Sequence, residues 1–310
     1  MKKLKFVVSL TTNDNDYQME QSVSAQEAAK RLNADIQVIY ADNDSIAQSQ
    51  QLLKIIQSDA NSHPDGILLE PVGATALPQV ALAAARAGIG WGILNRDVDY
   101  ISDLRKSFRI PAFCISSDHL EIGRIQGRQF AALLPKGGAV LYIQGPSENS
   151  ASKERSAGMY ETKPSNVEVK LLRGNWTEAS AHKAVTAWLR LSTSQRTHMD
   201  LIAAQDDSMA VGAKKAFQEI ADNKLRDHWL GIPYIGVDGL PKTGQAWVRR
   251  GLLTATIVVP PNSGKALELM VRALQSGTLP PERSSHPSHS FPALDALGVA
   301  QAEKVHIFSR

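Results

Sequence analysis

The 310-residue chain contains one cysteine, Cys114, so it cannot form an internal disulfide. No Cys/His cluster has the spacing of a zinc site. The lone thiol suits a reducing compartment and is compatible with the periplasm. Long apolar runs are also missing, since no stretch approaches the roughly 18 residues of a membrane helix. Lys2-Lys3-Leu4-Lys5 has the charge of a leader's start, but only Phe6-Val7-Val8-Ser9-Leu10 follows before polar Thr11. A secretory leader needs about 7–15 apolar residues there, so the expectation is a cytosolic chain or a mature form without its leader. Charge of one sign is scarce as well: 34 Lys+Arg against 31 Asp+Glu leave +3, without the basic stripe of a nucleic-acid binder. The segment Ser9 to Tyr17 holds no glycine, which excludes a G-x-G-x-x-G phosphate cradle, and no G-x-x-x-x-G-K-[ST] occurs. Ser147, Ser150 and Ser152 have no evident His/Asp arrangement around them. The chain is therefore expected to be neither an enzyme nor a cofactor carrier. His286 and His289 share a polar loop too weakly patterned to predict a metal site.

What is present is an ordinary globular composition, with 43% apolar and 21% charged residues. The length is about twice the commonest domain size of roughly 100–150 residues, which predicts two lobes. Short apolar runs alternate with amphipathic stretches. Strands are expected at 6–10, 36–40, 66–70, 89–94 and 112–116, then at 139–143, 167–172, 201–204, 234–237 and 252–258. Helices are expected near 16–32, 46–56, 76–87, 120–134, 177–191, 208–221 and 263–276. Strands apolar throughout are buried on both faces, and strand–helix alternation means parallel sheets with crossover helices. The fold class is α/β. Ala87-Gly88, Pro135-Lys136-Gly137-Gly138 and Ser276-Gly277-Thr278 read as helix stops. The stretch from Pro280 to His289 reads as loop, and Val305-His306-Ile307-Phe308 as a last short strand.

In open parallel sheets, ligands bind beyond the carboxyl ends of the strands. The residues that follow the strands are Thr11 to Tyr17, Glu70-Pro71, Asn95-Arg96-Asp97, Gln144-Gly145-Pro146, Asn175-Trp176, Gln205-Asp206-Asp207 and Asp238-Gly239. Several of these have plainer readings. Asp238-Gly239 is also a turn signal, and Asp206 is also a helix N-cap. Trp176 could be core packing, and Arg96 and Arg155 could form surface ion pairs. Trp91 lies inside a strand run and reads as packing.

The order Glu70-Pro71-Val72, Ile93-Leu94-Asn95-Arg96, Ser116-Ser117-Asp118, Ser150 to Arg155, Ala204 to Ala213 and Gly236-Val237-Asp238-Gly239 resembles the type I periplasmic sugar-binding proteins. The ribose-binding branch is the most similar. Its fold is shared with the effector domains of lac-repressor-type regulators. The resemblance covers residues 4–279 and is most specific in Gln205 to Ala213 with Gly236 to Gly239. It implies two doubly wound parallel-sheet lobes joined by a three-segment hinge. The crossings would fall near Ser116, Val259 and Thr278, giving lobes of 1–116 plus 260–279 and 117–259 plus 280–310.

The resemblance further implies that a small polar ligand, a sugar or polyol, is clamped between the lobes. Position by position, Asn15 and Tyr17 match first-loop polar and aromatic contacts, and Arg96 and Arg155 match the two arginines. Trp176 matches a stacking aromatic, and Asp238 matches an aspartate. Four positions depart from the branch. Glu70 stands for Asn, Asn95 for Asp, Asp206 for Asn, and Val259 for a contacting Gln. Glu70, Asp206 and Asp238 against Arg96 and Arg155 sum to −1. This predicts a hydroxyl-rich neutral or cationic ligand, not an anionic one, and disfavours ribose. The implied partner is an ABC-type permease, with a membrane sensor as the alternative, and the implied state is a periplasmic monomer. A DNA-binding regulator would carry about 60 residues of helix-turn-helix before the first strand. That strand begins near Lys5, so no nucleic-acid binding through this chain is expected.

Overall fold

A computed structural model describes residues 3–72, 77–191 and 198–298. The chain divides into two units, residues 1–117 with 261–286 and residues 118–260 with 287–310. The first begins with β1 (Lys5–Leu10), α1 (Asp16–Leu32), β2 (Asp35–Tyr40), α2 (Ser45–Ile56), β3 (Gly66–Leu69) and α3 (Pro78–Arg86), then β4 (Gly90–Leu94), α4 (Ile101–Ser107) and β5 (Ala112–Ser117). The second holds α5 (His119–Leu133), β6 (Gly138–Gln144), α6 (Ser150–Thr162), β7 (Val167–Arg173), α7 (Glu178–Leu189) and β8 (Leu201–Ala204). It continues with α8 (Asp207–Gln218), α9 (Asn223–Gly231), β9 (Tyr234–Ile235), α10 (Gly244–Arg249) and β10 (Thr256–Val258). The chain then returns to the first unit with α11 (Ser263–Ser276) and β11 (Arg283–His286), and re-enters the second with β12 (His289–Phe291).

The expected alternation is realised as two doubly wound sheets. The first has the order β11-β5-β4-β3-β1-β2, and every pairing in it is parallel. The second has the order β7-β6-β8-β9, also parallel throughout. Alternate residues of one strand serve opposite faces, as the pleat requires. Val7 packs with Leu52 of α2 and Ala84 of α3, whereas Phe6 and Val8 pack with Ala28 of α1 and Met270 of α11. Every residue of β3 and β4 is buried, and each buried Leu or Ile side chain contributes about 1.5–3 kcal/mol. Trp91 is fully buried on β4, as its strand position predicts.

Two readings of the sequence need correction. Residues 280–289 are not simply loop. Backbone N–H of Cys114 donates to Glu282 O, and β11 pairs in parallel with β5, Arg283 opposite Cys114 and His286 opposite Ser117. Ladder bonding of this kind ties residues 280–286 to the first unit, so the last change of unit falls at 286/287 and not near Thr278. The second correction is α6, where no helix was expected. Its buried face is Ala151, Ser152, Arg155, Gly158 and Met159, a helical period written mostly in polar and small residues. Its tight approach to α5 explains the glycines. A Cβ on Gly158 would lie 1.9 Å from Leu120 O, and one on Gly123 2.1 Å from Arg155 O. The short helices α4, α9 and α10 were also not foreseen. The expected strand at 305–308 lies outside the described residues. Among the described residues no helix is long and apolar enough to cross a membrane.

Candidate functional site

In the first unit the site residues cluster past the carboxyl ends of β1, β3 and β4. Asn15 caps α1, its Oδ1 accepting from the N–H of Tyr17 at 2.9 Å and of Gln18 at 3.2 Å. One turn into the helix, Gln18 accepts from Thr11 N–H and donates through Nε2 to Glu70 Oε2 at 2.8 Å. The other carboxylate oxygen of Glu70 accepts from Asn95 Nδ2 at 3.3 Å and faces Arg96 Nη2 at 3.2 Å. Arg96 Nη1 also donates to Asn95 O at 2.6 Å. Glu70, Asn95, Arg96 and Asn15 are all buried. In a buried pair of this kind the Coulombic gain must offset desolvation, and the extra hydrogen bonds to Glu70 are what make that possible. Asn95 holds a left-handed φ of 57°, a conformation that asparagine tolerates better than most residues.

The second unit is built around Gln205, which is fully buried. Its Oε1 accepts from Gly145 N–H and Ser152 Oγ, each at 2.8 Å. Its Nε2 donates to Ser152 O at 2.9 Å, Ser156 Oγ at 3.0 Å and Tyr142 Oη at 3.1 Å. Tyr142 in turn donates to Gln126 Oε1 at 2.9 Å. Burial holds the Tyr142 phenol well above its ordinary pKa, so this network is neutral. Arg155, on α6, donates from Nη1 to Gln205 O. Its Nε is buried without a hydrogen-bond partner among the described residues. Its guanidinium carbon lies 5.6 Å from the centroid of the Trp176 ring, within cation–π range. Trp176 has a φ of 59°, and its ring lies so close over Gly145 that a Cβ there would sit 2.2 Å from Cζ2.

Asp206 is the N-cap of α8, accepting from Met209 N–H at 2.5 Å. Its neighbour Asp207 accepts from Thr256 Oγ1 at 2.7 Å and from Gly239 N–H at 2.8 Å. Asp207 thereby anchors the turn that carries Asp238, whose φ is 108°. Non-glycine residues at such angles cost about 1–3 kcal/mol and concentrate at functional sites. Three of the candidate residues, Asn95, Trp176 and Asp238, are held this way. Val259 is buried and donates its N–H to Asp238 O.

Each unit thus assembles its own share of the candidates. Glu70, Asn95 and Arg96 form one hydrogen-bonded group, with Asn15 joined through Gln18 and Tyr17 held beside it in the cap. Arg155 joins Trp176 directly and Asp206 through Gln205. Asp238 is tied in through Gly239 and Asp207. Among the described residues, the buried charged side chains are Glu70, Asp206, Asp207 and Asp238 with Arg96 and Arg155. Apart from Asp207, these are the charged residues singled out in the sequence. Sequence reasoning did not assign roles to Gln18, Gly145, Gln205 and Asp207. Their signal is position, because Gln18, Gln205 and Asp207 each adjoin a candidate and Gly145 directly follows β6. Among the described residues no group of three or more His, Cys, Asp or Glu could hold a metal ion.

A doubly wound α/β unit with buried polar residues past its strand ends, present twice in one chain, defines a class of binding protein. A sequence model of the periplasmic binding protein domain matches residues 6–278, and the chain belongs to that family. It is 28% identical over 199 residues to a putative rhizopine-binding protein of Rhizobium meliloti, covering 62% of this chain and 60% of that one. It is 27% identical over 216 residues to a xylitol-binding protein of Mycolicibacterium smegmatis, covering 68% and 55%. The matched segment therefore spans little more than half the length of these two relatives. Among solved structures, the periplasmic binding protein component of an arabinose ABC transporter from Shewanella sp. ANA-3, bound to L-arabinofuranose, superposes with a TM-score of 0.77. That match has 20% identity and covers 99% of this chain and 98% of the other.

Proposed function

We propose that this chain is a solute-binding protein that captures a monosaccharide or polyol and delivers it to an ABC-type permease. The observation that carries this reading is the placement of the buried charges. Buried ions are costly unless paired and hydrogen-bonded, yet here they gather past the carboxyl ends of two parallel sheets. Carboxylates and amides accept from sugar hydroxyls, arginines donate to them, and an aromatic face such as Trp176 covers C–H surfaces. The names of the relatives, which bind xylitol, rhizopine and arabinofuranose, agree with a hydroxyl-rich ligand. In the proposed mechanism the ligand's hydroxyls bond to Arg96, Arg155 and Asp238. It then shifts an open–closed equilibrium by its differential affinity for the closed form. A micromolar ligand supplies about −8.2 kcal/mol, part of which drives closure. The protein acts as a periplasmic monomer.

A thermal-shift panel of sugars, polyols, sugar acids and sugar phosphates tests the reading. Neutral or amino-substituted polyhydroxy compounds should raise the melting temperature. Arg155→Ala and Asp238→Ala should remain folded and lose the response. Preferential stabilisation by sugar acids or phosphates, or wild-type responses in both variants, would contradict it.

A further inference from the structure

We infer that the second unit carries a further binding site, at the amino end of β9, for a small apolar molecule bearing one carboxylate, with Lys214 as its counter-ion. A cavity of about 500 Å³ lies there, at the opposite end of the strand from Asp238. Small-molecule sites are mostly apolar cavities of roughly 300–1,000 Å³ with a few placed polar groups. The fold leaves this one for a local reason. β9 is two residues long and is the last strand in the order of the second sheet. The cores on the two faces of that sheet, one holding Tyr234 and Leu253 and the other Leu133 and Leu297, both reach the cavity around this short edge. Leu230, Ile232, Val248 and Leu252 also line it and are only partly buried.

Lys214 supplies the polar group. It lies on α8, and its Nζ donates to Leu252 O at 2.8 Å and sits 4.9 Å from the centroid of the Tyr234 ring. Both partners line the cavity, so the ammonium is at its wall. Among the described lining residues Lys214 is the only cation, and none is a carboxylate. Neither Leu252 O nor the Tyr234 ring carries a net charge, and burial holds the ammonium below its ordinary pKa. The carbonyl takes one of the three N–H donors of the ammonium. A bound carboxylate accepts from another and offsets the charge. One cation among apolar walls suits a monoanion, because burying the second charge of a phosphate or sulfate there would be costly. The ligand class is an aliphatic or arylalkyl monocarboxylic acid.

Matched pairs test this: octanoate against octanamide, and phenylbutyrate against its amide. Binding is read by calorimetry at neutral pH, and its place by backbone N–H chemical shifts of the isotope-labelled chain. In at least one pair the carboxylate should bind at least about tenfold tighter than the amide, the increment of one charge-assisted hydrogen bond. The shifts should centre on residues 230–234 and 251–254. In Lys214→Met, which keeps an apolar stem, the preference should fall to within about twofold. Lys214→Arg keeps the charge and should retain part of the preference. Gly231 lines the cavity, and a Cβ added there meets nothing within 4 Å. Gly231→Leu should therefore fold, and should weaken acid and amide alike by filling the space. Amides binding as tightly as the acids, or a preference unchanged in Lys214→Met, would overturn the inference. So would no binding of any of the four compounds, or shifts confined to residues past the carboxyl ends of β3 and β8.

Discussion

Glu70 and Gln205 occupy the same slot in the two units. Each follows the third strand of its unit, β3 or β8, and each donates its backbone N–H to the first strand, to Ser9 O or to Ile143 O. Each offers its carbonyl to a side chain on a neighbouring helix, Gln48 of α2 or Arg155 of α6. In the first unit the slot holds a carboxylate that locks Arg96 and Asn95 in place. In the second it holds a neutral amide that makes five hydrogen bonds and leaves the charge to the adjacent Asp206. The same architecture is thus used once as a closed ion pair and once as a neutral hub beside the buried carboxylates of Asp206 and Asp207.

Exchanging the two residues breaks this comparison most sharply. Gln205→Glu puts an oxygen 2.9 Å from Ser152 O, where Nε2 now donates. Glu70→Gln removes the carboxylate that faces buried Arg96. Removing one member of a buried pair costs about 3–5 kcal/mol, and urea unfolding should show both variants destabilised by that order. The probes separate by unit. Four of the five tryptophans, Trp176, Trp188, Trp229 and Trp247, lie in the second unit, and Cys114, the only cysteine, lies in the first. Gln205→Glu should shift the fluorescence transition more, and Glu70→Gln should shift thiol exposure more. Equal shifts of both probes in both variants would show that the units do not carry separate networks.

A smaller effect is expected at Trp176. Trp176→Asn removes the ring while keeping a residue that tolerates a positive φ, and should weaken ligand binding about tenfold. The unfolding midpoint should move little, since the ring is only partly buried. A large loss of stability with unchanged affinity would make Trp176 a packing residue.

Cys114 gives a slower readout. Burial pushes its thiol up to about 12, so a disulfide reagent at pH 8 should label it only as the first unit opens. Immediate labelling of the native chain would contradict its place in β5. The smallest effect concerns His286, whose imidazole is pushed below its ordinary value by burial and by Lys265. The unfolded chain then binds a proton more readily. The stability contribution is complete above about pH 6.5 and declines as pH falls below it. His286→Asn should flatten that decline slightly.

The sequence revealed most of the sheet and most of the charged site for one physical reason. Fully buried parallel strands are written as apolar runs, and the residues just past them are where ligand chemistry collects. It hid α6 because that helix turns Ser152, Arg155 and Gly158 inward, and a hydrophobic period does not register polar and small residues. It hid β11 because Arg283-Ser284-Ser285-His286 is an edge strand that has the composition of a loop. Gln205 lay in a quoted motif, yet its role as a hub depends on contacts with residues 49 to 63 positions away, which spacing does not encode.

The central claim, as proposed above, is that the buried polar residues past the strand ends bind a small hydroxyl-rich ligand. A crystal structure of the chain with the best stabilising compound of the panel tests it directly. The account predicts ligand hydroxyls within hydrogen-bond distance of side chains drawn from Arg96, Arg155 and Asp238. A ligand seated away from all three of these residues would contradict it.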